Sequence, residues 1–417
     1  MNSHGLLPAQ AIPRRRRLRF SERFAALLPV FALLLPAQLA LHSPWQMAFN
    51  VGVSVFILAG LLLPVRVALP KYGAVETSLL VLLLSAAAIS AFFNNLPRGM
   101  MVYGGIMGGY VAATRTVEYV KNPQAYMRLL ILGFCCISIG IIIASFVIQP
   151  PTTWRYSGIY AKSNSMGWFG SSTAALMLGV LVYSRIKWKR WETIFIVSVL
   201  TLSLLLILVC QARSALAGIC SSIGIFGVIF VHSFVMQSKA RRKKLFFGLI
   251  FVAVVAGIAY WLGLFDRVIE KFEATASSGD LSNGRFNMWS VHLDNWKWFG
   301  NGAKYVSTYI THNTYVDHLT KYGVIPLALF LSFLGLLFYS GYVYTIKGTY
   351  QSAPILLSVI TCFMAQAMFE TGTSTPGLWI AIVFYCCLRY EIFMAKRGGP
   401  IRRNYGRQMG NNMWSPN

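Results

Sequence analysis

The segment THNTYVDHLTKYG, residues 311–323, closes the longest polar interval between hydrophobic stretches, and it sets His312 eleven positions ahead of Gly323, where a new apolar run begins. Histidine is the side chain whose ordinary titration falls near neutral pH, so at a water–lipid boundary it can accept or return a proton. A membrane enzyme working on a lipid-linked polar substrate needs a group of that kind at that depth. The other histidines offer less: His4 is in a tail, His42 and His232 end apolar runs, and His292 sits within a surface-type helical pattern. Asp317 and His318 follow within the same segment as local support at most.

Several cations accompany His312. Arg213 occupies CQARSALAG, where only a few residues separate one apolar run from the next. Its guanidinium either snorkels to headgroups or turns inward to an anion, and the small neighbours Ser214, Ala215, Ala217 and Gly218 favour close helix contact and the inward course. Arg285 falls in the first turn of a predicted helix after Asn283, a good N-cap residue. A cation there opposes the helix dipole, and a bound anion reverses that sign; a plain solvated arginine fits as well. In QPPTTWRYSGIYAKSN, Arg155 and Lys162 add two cations, Pro150 and Pro151 end the preceding helix, and Ser163 or Asn164 can cap the next. Glu370 is the lone acid of FETGTSTPG, free to orient a histidine or to stay solvated.

These residues must be positioned by membrane helices. The 417 residues are 56% hydrophobic and only 12% charged, too few charges to cover a water-soluble surface of that size. Apolar runs long enough to cross about 30 Å of hydrocarbon recur along the chain. Twelve are expected, near 24–41, 46–63, 74–93, 99–117, 129–148, 165–183, 193–209, 214–232, 245–264, 324–344, 352–368 and 376–394. Pro29 and Pro36 in the first, and the lack of a small-residue cleavage site, mark it as a retained helix rather than a signal peptide. The seven cysteines lie in or at the ends of these runs, with neither a metal-ligand nor a disulfide spacing.

The net charge of +25 is explained by topology rather than by nucleic acid. Basic residues crowd the N-terminal tail (Arg14 to Arg17, Arg19, Arg23), alternate connections such as Lys239 to Lys244, and the C-terminal tail. The positive-inside rule places those in the cytoplasm with both termini, and an even number of spans agrees. The resulting division is a basic tail at 1–23, nine spans within 24–264, one large outer loop at 265–323, three spans within 324–394 and a basic tail at 395–417. The loop carries six Lys or Arg and six Asp or Glu, so its charges are not there for topology. Within it, DRVIEKFEA is laced by i,i+4 charge pairs. Phe286, Trp289, Leu293 and Trp296 recur at helical spacing, as in a helix lying along the bilayer surface with its tryptophans at headgroup level.

Taken together, these residues resemble the O-antigen ligase and polymerase superfamily of bacterial inner membranes, the ligase branch most closely. The shared pattern is a large loop ending in His, ten residues and Gly (His312, Gly323), an Arg in an R-S-A-L turn (Arg213), an Arg in an R-x-x-x-W context (Arg285, Trp289), and G-x-Y-x-x-x-N (Gly158, Tyr160, Asn164). It spans roughly residues 150–380. Each motif alone is weak, and their order and common face carry the resemblance.

The resemblance implies an all-α, GT-C-like integral membrane glycosyltransferase with about twelve transmembrane helices and one large periplasmic loop containing short helices. It also implies metal- and cofactor-independent, inverting transfer of a glycan from undecaprenyl diphosphate to the lipid A-core oligosaccharide. His312 would be the base, and Arg213 and Arg285 would hold the diphosphate. Arg155, Lys162, Asn164, Asn313 and Tyr315 would bind diphosphate or glycan. The implied partners are the lipid-linked donor, the lipid A-core acceptor and membrane lipids, with no nucleic acid. A polymerase or a protein O-oligosaccharyltransferase would share the donor and differ in acceptor. A transporter or flippase would share the span number, but the halves show no clear repetition and no paired interrupted helices. A pure scaffold leaves the one-sided charges without a purpose.

Overall fold

The computed structural model describes residues 19–30, 58–63, 73–94, 97–120, 123–149, 156–160, 162–183, 186, 188–234, scattered positions between 250 and 277, 284–301, 311–370 and 376–396. Arg155, Asn283, most of both tails, five of the nine residues of DRVIEKFEA and most of the expected spans at 24–41, 46–63 and 245–264 lie outside them. The described chain folds as α-helices: α1 (Phe20–Leu27), α2 (Ala74–Asn94), α3 (Pro97–Val120), α4 (Pro123–Ile148), α5 (Ser163–Tyr183), α6 (Arg190–Cys210), α7 (Arg213–Phe234), α8 (Arg285–Asp294), α9 (Thr314–Tyr322), α10 (Val324–Lys347), α11 (Ala353–Ala367) and α12 (Pro376–Lys396). Seven of these, α2, α4, α5, α6, α7, α10 and α12, are long and apolar enough to cross a membrane. The run at 352–368, expected as a full span, gives in α11 a helix of 15 residues. At 1.5 Å per residue that is about 22 Å, short of the roughly 30 Å hydrocarbon core.

α11 lies at the centre, buried almost all round. Its neighbours α5, α7 and α10 run antiparallel to it. Gly179 of α5 packs on Pro354 and Ile355 while Ser171, eight residues earlier, accepts from the Gln366 amide. Ser222 of α7 donates to the Ser358 carbonyl at 2.7 Å while Gly218 packs on Cys362 and Gln366. Gly341 of α10 meets Leu357. A Cβ on Gly218 would stand 2.7 Å from the Gln366 side chain, so α7 and α11 approach as closely as small residues in membrane bundles allow. The consequence is positional: the N-terminal ends of α5, α7, α10 and α12 gather at the C-terminal end of α11.

The outer helices carry apolar side chains on their exposed faces, among them Leu82 and Phe92 of α2, Val147 of α4, Val231 of α7 and Leu331 of α10. An apolar outer surface around an apolar core is what a lipid solvent permits and water does not. The far end of the bundle is tied by charge. Arg389 of α12 lies 3.2 Å from Glu76 of α2, whose carboxylate also accepts from the Tyr385 hydroxyl. Arg128 of α4 donates to Glu192 of α6 at 2.8 Å, and Glu391 accepts from the backbone and hydroxyl of Ser352. The fold therefore defines an all-helical protein of multi-pass membrane type.

Candidate functional site

The site is built around a turn and a carboxylate. His312 has φ +47, and with Gln211 it is one of two non-glycine residues at positive φ among the described residues. A non-glycine side chain in that region costs on the order of 1 kcal/mol, so its neighbours must hold it. Thr311, fully buried, accepts the Trp289 indole N–H through its carbonyl at 2.6 Å and donates its hydroxyl to the Asn313 carbonyl at 3.1 Å. Asn313 caps α9, its side-chain oxygen accepting from the N–H groups of Tyr315 and Val316 at 2.9 and 3.1 Å. Tyr315 donates its hydroxyl to the Met364 carbonyl at 3.0 Å, which pins α9 to α11, and burial raises its phenol to about 12.

Gly323 ends α9 and opens α10 without a break. Its φ is +101, and a Cβ there would stand 2.1 Å from the Trp298 carbonyl oxygen. Only glycine fits, because the chain at Trp298–Gly300 passes directly over it. That crossing is fixed by Asn301 N–H to the Thr320 carbonyl at 2.7 Å and by the Ser90 hydroxyl of α2 to the Phe299 carbonyl at 2.7 Å. The His-to-Gly spacing thus has a mechanical meaning: one turn-and-cap holds the histidine, and nine helical residues later a clasp fixes the end of that helix to the bundle.

Glu370, three residues beyond α11, joins the pieces. One carboxylate oxygen is 3.5 Å from His312 Nδ1 and the other 3.8 Å from Arg285 Nη2 and hydrogen-bonded to the Asn164 amide. Its backbone carbonyl accepts from the Thr314 hydroxyl at 2.7 Å, and the preceding Phe369 carbonyl accepts from Arg285 Nη1 at 2.7 Å. The carboxylate is nearly buried, at 10% exposure. His312 Nδ1 is also buried, whereas the side chain as a whole is 36% exposed, so its accessible atoms lie on the rest of the ring. The 3.5 Å separation is an ion-pair distance for a protonated imidazole.

Arg213 stands at the same end. Gln211 closes α6 in the left-handed conformation, φ 49, and α7 starts two residues later at Arg213 itself. Ala212 packs on Gly167, and Ser214 accepts the Trp168 indole N–H at 3.2 Å, which places this helix start beside the first turns of α5. Lys162 is exposed just before α5, and its carbonyl receives the first helical N–H, from Ser165. The N-termini of α8 and α9 therefore join those of α5 and α7 at the end of the bundle that carries Arg213, Arg285, Lys162 and His312. Helix dipoles direct about half a positive charge each to such ends, and together with the guanidinium groups they form a surrounding suited to an anion.

The structure departs from expectation in several places. α8 begins at Arg285 with Gly284 as N-cap at φ 80, rather than with a cap by Asn283. Asn164 is not a cap; it is the second residue of α5, and its side chain reaches Glu370. Asn313 and Tyr315 have polar atoms engaged in holding α9. Asp317 pairs with Lys321 at 2.7 Å, and its burial raises its carboxyl against the lowering effect of that lysine. His318 is buried and stacked 4.6 Å from Phe330, its Nδ1–H donated to the Thr314 carbonyl; burial pushes it down to about 4, so it stays neutral. Of the residues not singled out as site residues, Glu370 matters most. Its signal in the sequence was its solitude as an acid in its loop.

No protein-family model matches the chain, and no curated protein matches it. Fold and site together give a class only: a polytopic α-helical membrane protein whose helix starts enclose a His–Glu–Arg cluster.

Proposed function

We propose that this chain is an O-antigen ligase: a metal-independent, inverting, multi-pass glycosyltransferase of the bacterial inner membrane, with both termini cytoplasmic and its site on the periplasmic face. It moves a polysaccharide from undecaprenyl diphosphate to a hydroxyl of the lipid A-core oligosaccharide. His312 takes the proton of the acceptor hydroxyl as the oxygen attacks the anomeric carbon from the side opposite the diphosphate. The bond from that carbon to the diphosphate oxygen breaks, and its electron pair leaves on undecaprenyl diphosphate. Arg213 and Arg285, with the helix N-termini, balance that charge, and Glu370 orients the imidazole and stabilises it once protonated. The observation that supports the reading is the Glu370 cluster, where the His312 imidazole and the Arg285 guanidinium stand at one carboxylate.

The test is transfer by the purified protein in detergent, with undecaprenyl-diphosphate-linked glycan offered to lipid A core, to a second donor molecule or to a pilin-like protein. A ligase glycosylates the lipid A core alone; product on either other acceptor reassigns it as polymerase or protein oligosaccharyltransferase. No transfer to any of them, by protein that retains its fold, would leave the carrier reading standing. His312→Asn keeps a residue that tolerates the left-handed turn, and it should lower transfer by about 100-fold or more.

A further inference from the structure

α8 makes two contacts, one turn apart, that the proposed chemistry has not used. Arg285 donates to the carbonyl of Phe369, the residue before Glu370, and Trp289 donates to the carbonyl of Thr311, the residue before His312. A single short helix thus fixes the backbone leading into the carboxylate and the backbone leading into the imidazole. The exposed aromatics of this segment, Phe286, Trp296 and Trp298, suit a headgroup belt, but Trp289 does not share their setting. It is half-buried, braced edge-on by Phe286 at 5.4 Å, and its only polar atom serves one carbonyl.

We infer that Trp289 is a positioning residue for His312, and that α8 couples occupation of the anion site at Arg285 to placement of the base. This rests on the transfer reading given above. His312 is held in a left-handed conformation that a free loop abandons, and the Thr311 carbonyl is the last backbone group before it. A diphosphate drawn to Arg285 steadies α8, and through Trp289 the same event steadies the turn. The base is then well placed when the donor is present.

Trp289→Phe keeps an aromatic ring and removes the N–H. Turnover should fall about tenfold, the usual worth of one buried hydrogen bond, with the donor KM within about twofold of wild type. A membrane anchor would lose nothing on this exchange, so an unchanged kcat overturns the inference while leaving the ligase reading intact. A second measurement needs no turnover. Hydrogen exchange of the 311–323 segment should be faster in Trp289→Phe, and added undecaprenyl diphosphate should slow it in the wild type but not in the variant. Equal exchange in both proteins, with or without that lipid, also overturns the coupling. A wild type that transfers nothing, yet shows the lipid-dependent protection, would sink the ligase assignment and keep the coupling of α8 to the turn.

Discussion

Glutamine at position 370 is the most informative single change, because it removes a charge while keeping the shape that the fold needs. The Glu370 backbone carbonyl that receives the Thr314 hydroxyl is untouched, and a glutamine oxygen still accepts from Asn164. What disappears is the attraction between the carboxylate and a protonated His312 at 3.5 Å. Coulomb's law gives about 1 kcal/mol at that distance in a water-like surrounding and about 5 kcal/mol at an effective dielectric of 20. With the His312 side chain 36% exposed, solvent screening puts the interaction near the lower limit, on the order of 1 to 2 kcal/mol. In the proposed transfer the imidazole gains its charge as the acceptor is deprotonated, so that energy would be lost from the transition state, and kcat should fall about 5- to 30-fold.

The Arg285 side of the cluster gives the prediction a second, opposite sign. Its guanidinium lies 3.8 Å from the same carboxylate, so on the proposed reading Glu370 would compete with an incoming diphosphate for it. In Glu370→Gln that competition is removed, and the donor KM should stay level or fall while kcat drops. Steady-state transfer kinetics with varied donor separates the two effects, and an unshifted thermal midpoint certifies the fold. An unchanged kcat would refute the orienting role; a raised KM with unchanged kcat would make Glu370 a binding residue instead. Alanine is less useful, because stripping the partner from Asn164 costs about 1 to 3 kcal/mol of stability by itself.

Other changes test other steps of the reasoning. Arg213→Ala should lower kcat/KM for the donor by about 10- to 100-fold through loss of charge-assisted bonds to phosphate, with Arg213→Lys in between; full activity in the alanine variant would exclude the arginine from the site. Gly323→Ala places a Cβ 2.1 Å from the Trp298 carbonyl at φ +101, so the thermal midpoint should drop by an amount equivalent to about 2 kcal/mol or more, and a wild-type midpoint would mean that the clasp yields. His318 is held neutral by burial, down to about 4 from 6.5. The unfolded chain therefore binds the extra proton first, and stability present above pH 6.5 is lost as pH falls toward 4, on the order of 3 kcal/mol from this group. His318→Phe should remove that share of the slope in a series of melting curves against pH, and an unaltered slope would contradict the burial argument.

How much of this was legible in the sequence depends on how local each feature is. The turn at CQARSALAG was readable because a long apolar run, two connecting residues and a small-residue helix start leave few alternatives, and the structure adds only that Gln211 closes it in the left-handed conformation. The stretch from His312 to Gly323 was readable only as a spacing; that Asn313 caps a nine-residue helix and that Gly323 ends it came from the structure, which turns Asn313 from an expected ligand-binding residue into a cap. Trp289 stood out only through the R-x-x-x-W context, since Phe286, Trp289, Leu293 and Trp296 share one periodicity; its partner, a carbonyl 22 residues away in sequence, was not readable. Asn164 and Glu370, 206 residues apart, meet only through the packing of α5 on α11.

The length of α11 belongs to the same class of hidden information, and it explains why that meeting happens. Composition shows that 352–368 is apolar but not how deep its helix runs. Because α11 stops after 15 residues, the chain leaves its axis while α5, α7 and α10 are only beginning alongside. Two turns of additional helix would carry Glu370 about 10 Å further along that axis, beyond the N-termini that now surround it. A carboxylate can therefore sit among helix starts and guanidinium groups, its charge offset by theirs, and hold an imidazole at the edge of a site suited to anions. The short central helix is thus as much a component of the site as the histidine, although none of its own side chains carries a charge.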